Sequence, residues 1–318
     1  MNLALIESDF LPRWSDPLGL LNPVRNEHGQ RQVDKLVRLY ERNCLAKVAE
    51  KDNYLIPRKI HRIWLGSKEP TELHRLGETW NKAHPDWEYI LWDDNKVKQF
   101  DFGTRDLFEQ ANCFGQKADI LRVEILKAQG GLYVDCDFEC IEKVDTFLKR
   151  YEFFASSALV LQAHLGWPEI WKSPLIVNNA LIGSRPDHPI LHAYLKRIRA
   201  NWQGSGAYEI KPGELSPIAL WAMGGRKKAH KIKELGLRTY LPFHDSVVEE
   251  AGLEGRLDVV FPHTFFHPSL GGGISPLLVM PQFWSRAQGL STFRKLKDYD
   301  RLWPHSFANH LSKRTWAN

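Results

Sequence analysis

The sequence predicts an α/β protein built on an open, mainly parallel sheet flanked by helices, with a helical N-terminal extension, and three observations carry its core. Apolar runs of strand length alternate with helical patterns between Lys59 and Val134. A double glycine, Gly130-Gly131, separates the longest helical pattern from the strand that follows it, the usual chemistry of a helix C-cap. An acidic triplet, Asp135-Cys136-Asp137, comes directly after that strand, at the carboxyl end where open α/β sheets gather their ligands.

Residues 11–30 are rich in Pro, Asn and Gly and read as an irregular leader. Val33, Leu36, Val37, Tyr40 and Cys44 then recur at helical spacing among charges, predicting an amphipathic helix over 31–50. Lys59 to Gly66 reads as a buried strand ending at a glycine, Thr71–Ala83 as a helix and Trp87–Trp92 as a second strand. Residues 104–129 are mostly helical and Leu132–Val134 form the next strand. Beyond 145 the pattern loosens. Phe153–Ala155 and Leu175–Ile182 read as strands and Ile190–Trp202 as a basic amphipathic helix. Gly-rich and His-rich loops run from 204 to 280, and a final helix covers about 281–297. With no linker or internal repeat, the expected organisation is a leader and helix over 1–55 and one domain over 56–318. Its two parts cover about 56–145 and about 146–318.

Composition narrows the function. The 318 residues are 43% hydrophobic and 25% charged, enough for a sizeable core. The net charge is +5, and the basic groups Arg226-Lys227-Lys228 and Arg294 to Lys297 are too short for a nucleic-acid arm. A mild positive field suits an anionic ligand such as a nucleotide diphosphate, or peripheral contact with an acidic membrane surface; an ordinary solvated surface fits equally. The four cysteines, Cys44, Cys113, Cys136 and Cys140, make neither a zinc nor a disulfide framework. Met1 to Pro12 lacks a basic-then-apolar signal pattern, and no apolar run reaches bilayer length. The expectation is a cytoplasmic protein, or a secreted effector without a signal.

A D-x-D triplet alone is a poor signal, and Asp298-Tyr299-Asp300 reads as a solvated pair near the end of a charged helix. Asp135 and Asp137 differ in context, because alternation along an extended backbone sends both carboxylates to one side. Two such carboxylates repel unless a cation is bound, and hard oxygen ligands suit Mn²⁺ or Mg²⁺ bridging to a diphosphate. The bland alternative is a solvated acidic turn. Asp119 and Arg122, three apart on one helical face, either make a plain i,i+3 helix salt bridge, or Arg122 is a bidentate diphosphate anchor. Trp64 is either core or a stacking platform; Asn178 and Asn179 either close an Asx turn or orient a sugar.

Taken together, Ile56-Pro57, Lys59-Ile60-His61, Ile63-Trp64-Leu65-Gly66, Trp80, Pro85 to Tyr89, Leu91-Trp92-Asp93, Lys117 to Arg122, Gly130 to Asp137 and Asn178-Asn179-Ala180 resemble, in order, the DXD-containing sugar transferases of glycosyltransferase family 32. The catalytic domains of large clostridial glucosylating toxins are similar in the same blocks. The likeness is good over about 56–185 and patchy afterwards. It implies a GT-A fold and a retaining hexosyltransferase that uses a nucleotide-sugar donor, UDP- or GDP-linked. The acceptor would be a glycan, a lipid-linked sugar or a protein. Donor contacts would come from Ile63, Trp64, Leu65, Asp119, Arg122, Tyr133, Asp135, Cys136 and Trp316. The catalytic set would be Asp119, Arg122, Asp135, Asp137 and Asn179. Mn²⁺ (or Mg²⁺) would be held by Asp135, Asp137 and either Asn309 or His310. The rivals are a metal-dependent nucleotide-sugar or phosphoester hydrolase and a catalytically silent carbohydrate-binding protein.

Overall fold

The computed structural model describes residues 27–159, 175–206, 234–267 and 306–311. Along them the alternation is realised: α1 (Glu27–Asn43), β1 (Lys59–Ile63), α2 (Thr71–Ala83), β2 (Glu88–Trp92), α3 (Asp94–Gln99), α4 (Arg105–Gln110), α5 (Phe114–Gln129), β3 (Gly131–Val134), β4 (Phe138–Cys140), α6 (Asp145–Arg150), β5 (Phe153–Leu159), β6 (Leu175–Ser184), α7 (Pro189–Trp202), α8 (Leu241–Glu250), β7 (Asp258–Phe261) and β8 (Ala308–His310). The main sheet has the order β2-β1-β3-β6-β5-β7. β6 is antiparallel to both its neighbours, while β1 pairs in parallel with β2 and β3, and β5 with β7. Five strands therefore run one way and β6 opposes them, which is the mainly parallel sheet expected from the sequence.

Strand alternation splits the core into two layers. Ile63, Tyr133, Phe153, Val177 and Val260 pack with Ile120, Leu121, Tyr194, Ile198 and Phe243 on one face. Ile60, Leu132, Phe154, Val259 and Phe261 pack with Trp80, Phe147 and Tyr40 on the other. α1 lies along the edge strand β7, where Asn43 Nδ2 donates to the Asp258 carbonyl at 2.8 Å. Covering the edge removes a site for strand addition.

Two stretches differ from the sequence expectation. α1 ends at Asn43 rather than near 50; the Asn43 side chain donates to the Asp258 carbonyl, and the chain turns after it, with Lys47 N–H donating to Cys44 O at 2.9 Å, although Cys44 and Val48 stay buried. The loops foreseen between 204 and 280 contain a π-helical turn (Gly236–Tyr240), α8 and β7. Leu237, Leu241, Val247 and Val248 are buried there at near-helical spacing. The helix foreseen at 281–297, Asp298 to Asp300, Thr315 and Trp316 lie outside the described residues.

His61, within the resembling block, is a structural residue. Its Nε2 faces the Gly130 carbonyl at 2.9 Å and its Nδ1 accepts from Trp92 Nε1 at 3.2 Å, tying β1 to β2 and to the α5–β3 corner. Burial lowers its pKa to about 4, and burial lowers that of His244 to about 4 as well. Below pH 6.5 the unfolded chain takes up protons at these positions while the folded one does not, so stability falls with pH until about pH 4. Each group contributes up to about 3 kcal/mol over that window. Urea midpoints should drop steeply from pH 6.5 to 4 in the wild type and less steeply in His61→Gln; parallel profiles would show that His61 is not held neutral.

Candidate active site

The site is built around the corner between α5 and β3. Gly130 donates its N–H to Leu126 O at 2.8 Å, and both Gly130 and Gly131 have positive φ. A Cβ on Gly131 would lie 2.8 Å from the Lys59 carbonyl oxygen, so the chain turns back against β1 only without side chains here. The reversal sets the Arg122 guanidinium over the Tyr133 ring, 4.5 Å from its centroid.

After Val134 the backbone leaves the sheet. Asp135 N–H donates to Ala180 O at 2.8 Å, and Phe138 N–H reaches back to Asp135 O at 3.2 Å. A turn, rather than extended alternation, therefore brings Asp135 and Asp137 to one side. Cys136 faces inward, its thiol toward Ile63 O at 3.3 Å and its carbonyl accepting from Arg62 Nη2 at 2.9 Å. Burial pushes the thiol up to about 12, so it stays protonated and serves as packing. All four cysteines are free thiols.

The Asp119–Arg122 ion pair exists, at 2.9 Å, and it is not a surface pair: both side chains are 5% exposed. Arg122 also donates to Asn179 O at 2.6 Å and Ala118 O at 3.2 Å, and its Nη1 stands 3.3 Å from Asp135 Oδ1. Tyr133 OH donates to that same Asp135 oxygen at 2.6 Å. Asp119 accepts from Asn179 Nδ2 at 2.9 Å and from Thr239 Oγ1 at 2.5 Å. Burial raises the pKa values of Asp119 and Asp135, and the Arg122 charge opposes both shifts. One guanidinium thus compensates a buried carboxylate, Asp119, and a partly exposed one, Asp135.

Asn179 reaches this cluster through an irregularity in β6. Its register against β5 shifts between Phe154 and Ser156, while Val134 still pairs with Leu181. Asn178 Oδ1 accepts from Ala180 N–H at 2.7 Å, the Asx-type bond anticipated as the bland reading, and Asn179 turns toward Asp119.

Trp64 follows β1 and is half-buried, outside both core clusters, with Nε1 toward Ser67 Oγ at 3.3 Å. Its neighbours Ile63 and Leu65 are buried. Phe114, half-exposed at the start of α5, lies against Gly66, where a Cβ would stand 2.2 Å from its ring.

β8 brings the C-terminal segment in. It pairs antiparallel with β4, Phe138 opposite His310 and Glu139 opposite Asn309. His310 stacks on Phe138 at 4.4 Å between centroids, and its Nε2 is 3.2 Å from Asp137 Oδ1. Asn309, one residue earlier, projects to the other face. Ligand atoms of Asp135, Asp137 and His310 all lie within 4.8 Å of one another. Two carboxylates with one imidazole form a donor set that fits Mn²⁺ or Mg²⁺ better than a thiol-preferring ion. Sequence reasoning missed Thr239 and His267. The near-helical spacing of Leu237, Leu241, Val247 and Val248 was a signal for the first; a histidine in a His-rich stretch gave none for the second.

Residues 70–154 match the family described as the glycosyltransferase sugar-binding region containing DXD motif. Over that stretch, under half of the chain, the sequence is similar to a DXD-type glycosyltransferase sugar-binding region. That region spans α2 to the start of β5 and contains Asp119, Arg122 and the acidic turn. An uncharacterized glycosyltransferase of Acanthamoeba polyphaga mimivirus is 30% identical over 151 residues, 45% of this chain and 56% of that one. Inositol phosphoceramide mannosyltransferase 2 of Schizosaccharomyces pombe is 27% identical over 178 residues, 52% of this chain and 46% of that one. The chain thus spans about half the length of these curated relatives. The catalytic domain of alpha-toxin from Clostridium novyi is similar at 9% identity and a TM-score of 0.45, covering 77% of this chain and 84% of that one. No helix among the described residues is long and apolar enough to cross a membrane.

Proposed function

We propose that this protein is a metal-dependent, retaining glycosyltransferase that moves a hexose from a UDP- or GDP-sugar to a glycan, lipid-linked or protein acceptor. The observation that carries the reading is the convergence of Asp135, Asp137 and His310 at the carboxyl end of β3, within and beside the DXD-type region. These three residues would hold Mn²⁺ or Mg²⁺, which when bound neutralises charge developing on the diphosphate leaving group. Arg122 keeps Asp135 ionised and in place, and Tyr133 fixes the orientation of the same carboxylate. Asn179 and Asp119, tied to each other, face the transferred sugar. Trp64 stacks on the nucleobase, with Ile63, Leu65 and Cys136 shaping the floor beneath it, and Trp316 covers the donor. The names of several relatives favour mannose and an inositol phosphoceramide acceptor, so GDP-mannose and glycolipid acceptors come first in the test.

The deciding experiment is a donor panel of UDP- and GDP-sugars with Mn²⁺, before and after chelation. Slow donor hydrolysis that needs the metal and gives way to faster transfer on adding acceptor supports the reading. Hydrolysis indifferent to every acceptor supports a hydrolase, and activity surviving chelation removes the metal from the scheme.

Trp64→Ala should raise donor KM about ten- to a hundred-fold, since base–aromatic stacking is worth roughly 1–3 kcal/mol. A lowered Tm with unchanged KM would place Trp64 in packing instead.

A further inference from the structure

Outside the donor set, His267 has a placement that packing does not explain. It is 7% exposed, and its ring meets Phe138 edge-on at 5.2 Å. Its Nδ1 lies 3.1 Å from Nδ1 of His310, with the two rings at 75° to one another. Its Nε2 is buried and has no hydrogen-bond partner among the described residues. Phe138 therefore packs both imidazoles, one stacked and one edge-on, and among the described residues the side-chain bond of His267 is directed at His310.

Two ring nitrogens 3.1 Å apart need a single proton between them. If that proton belongs to His310, its Nε2 carries a lone pair facing Asp137 Oδ1 at 3.2 Å. Lone pair and carboxylate repel at that distance unless a cation is shared by both. If the proton belongs to His267, His310 carries its own on Nε2 and donates it to Asp137. The two arrangements correspond to a site filled by a cation and one without; passing from the second to the first moves the proton between the rings to His310, releases the Nε2 proton of His310 and places one on Nε2 of His267, so each ring stays neutral. A histidine that ligates a metal through one nitrogen is ordinarily fixed by a hydrogen bond at the other.

Resting on the metal role proposed above for His310, we infer that His267 is a positioning residue that accepts the Nδ1–H of His310 and thereby turns the Nε2 lone pair of His310 toward a divalent cation shared with Asp135 and Asp137. His267 touches neither cation nor donor, and its effect passes through His310 alone.

The test measures Mn²⁺ binding to the full chain without donor, by titration followed by EPR, for wild type, His267→Leu, His267→Gln and His310→Ala. Pulsed EPR on the same samples reads ¹⁴N coupling from a directly bound imidazole. Loss of an outer hydrogen bond to a ligating histidine typically costs ten- to a hundred-fold in metal affinity. His267→Leu, which keeps bulk but cannot accept a hydrogen bond, should weaken Mn²⁺ binding by that factor. His267→Gln, whose amide oxygen can accept, should stay within a few-fold of wild type, and His310→Ala should lose the ¹⁴N coupling. Equal affinity in wild type and His267→Leu, or equal loss in the Leu and Gln variants, overturns the role of His267. Wild type that binds Mn²⁺ without ¹⁴N coupling, or does not bind it, overturns the ligand role of His310 and this inference together.

Discussion

Asp137→Asn is expected to reduce Mn²⁺-dependent transfer by about 10²–10³-fold or more, the scale of removing a principal electrostatic stabiliser, while leaving the melting temperature nearly unchanged. Asp137 sits in the turn after β3, partly exposed, with the His310 ring as its neighbour at 3.2 Å. Its side chain is 14% exposed against 28% for Asp135, so the contrast between them lies in partners. Amidation at Asp137 keeps a hydrogen-bonding group beside His310, whereas Asp135 is paired with the buried Arg122. Asp135→Asn should differ in a way that separates the two. Asp135 shares the guanidinium of Arg122 and accepts from Tyr133, so its amide removes half of a buried pairing as well as a metal ligand. Transfer should fall comparably in both variants, and only Asp135→Asn should lower Tm by several degrees. The measurements are initial rates with saturating donor and thermal unfolding without it. Near-normal transfer in Asp137→Asn would show that the acidic turn is a solvated corner of the fold and not the centre of the chemistry.

Sequence pattern reached the sheet well where strands are continuous and buried. Lys59–Ile63, Glu88–Trp92 and Gly131–Val134 are short apolar runs bounded by turn residues, and each forms where the pattern places it. The Gly130-Gly131 corner was equally legible, because positive φ at two successive residues leaves few other choices. The region between 234 and 261 was less so. Its helical periodicity is interrupted by Thr239, Tyr240 and Pro242, and the π-helical turn that aims Thr239 at Asp119 breaks the spacing a helix search expects. π-turns of this kind gather at functional sites for the same reason. The site shows a sharper limit. Spacing put Asp119 and Arg122 on one face of α5, but only the fold brings Asp135, Asn179 and Thr239 to them. Partners separated by 57 and 120 residues leave no periodic trace. The choice between Asn309 and His310 was likewise open in sequence. β4–β8 pairing sets His310 against Phe138 and Asp137, and that is a matter of register rather than residue type.

Arg122→Met is expected to destabilise the protein by about 3–5 kcal/mol, the cost of removing one partner from a buried ion network. It should also lower transfer to the level of Asp135→Asn. Arg122 is enclosed by the Tyr133 ring, the Asn179 and Ala118 carbonyls and two carboxylates. Methionine fills much of that volume, so lost packing is a small part of the effect. What remains is Asp119 and Asp135, whose pKa values burial already raises, without the charge that opposed the shift. Both should then rise further above their unfolded values. A carboxyl whose folded pKa is raised stabilises the fold below its unfolded pKa and loses that contribution as pH climbs through the folded value. The deficit of Arg122→Met relative to wild type should therefore be largest at neutral pH and shrink toward pH 4. Adding Asp119→Asn should recover part of it, because one buried charge is removed along with its missing partner. Urea unfolding at pH 5 and 7 for wild type, the single variants and the double variant measures all three effects. If Arg122→Met unfolds like wild type at both pH values and only donor KM rises, Arg122 serves as a direct anchor for the donor phosphates, and the two carboxylates find their compensation elsewhere.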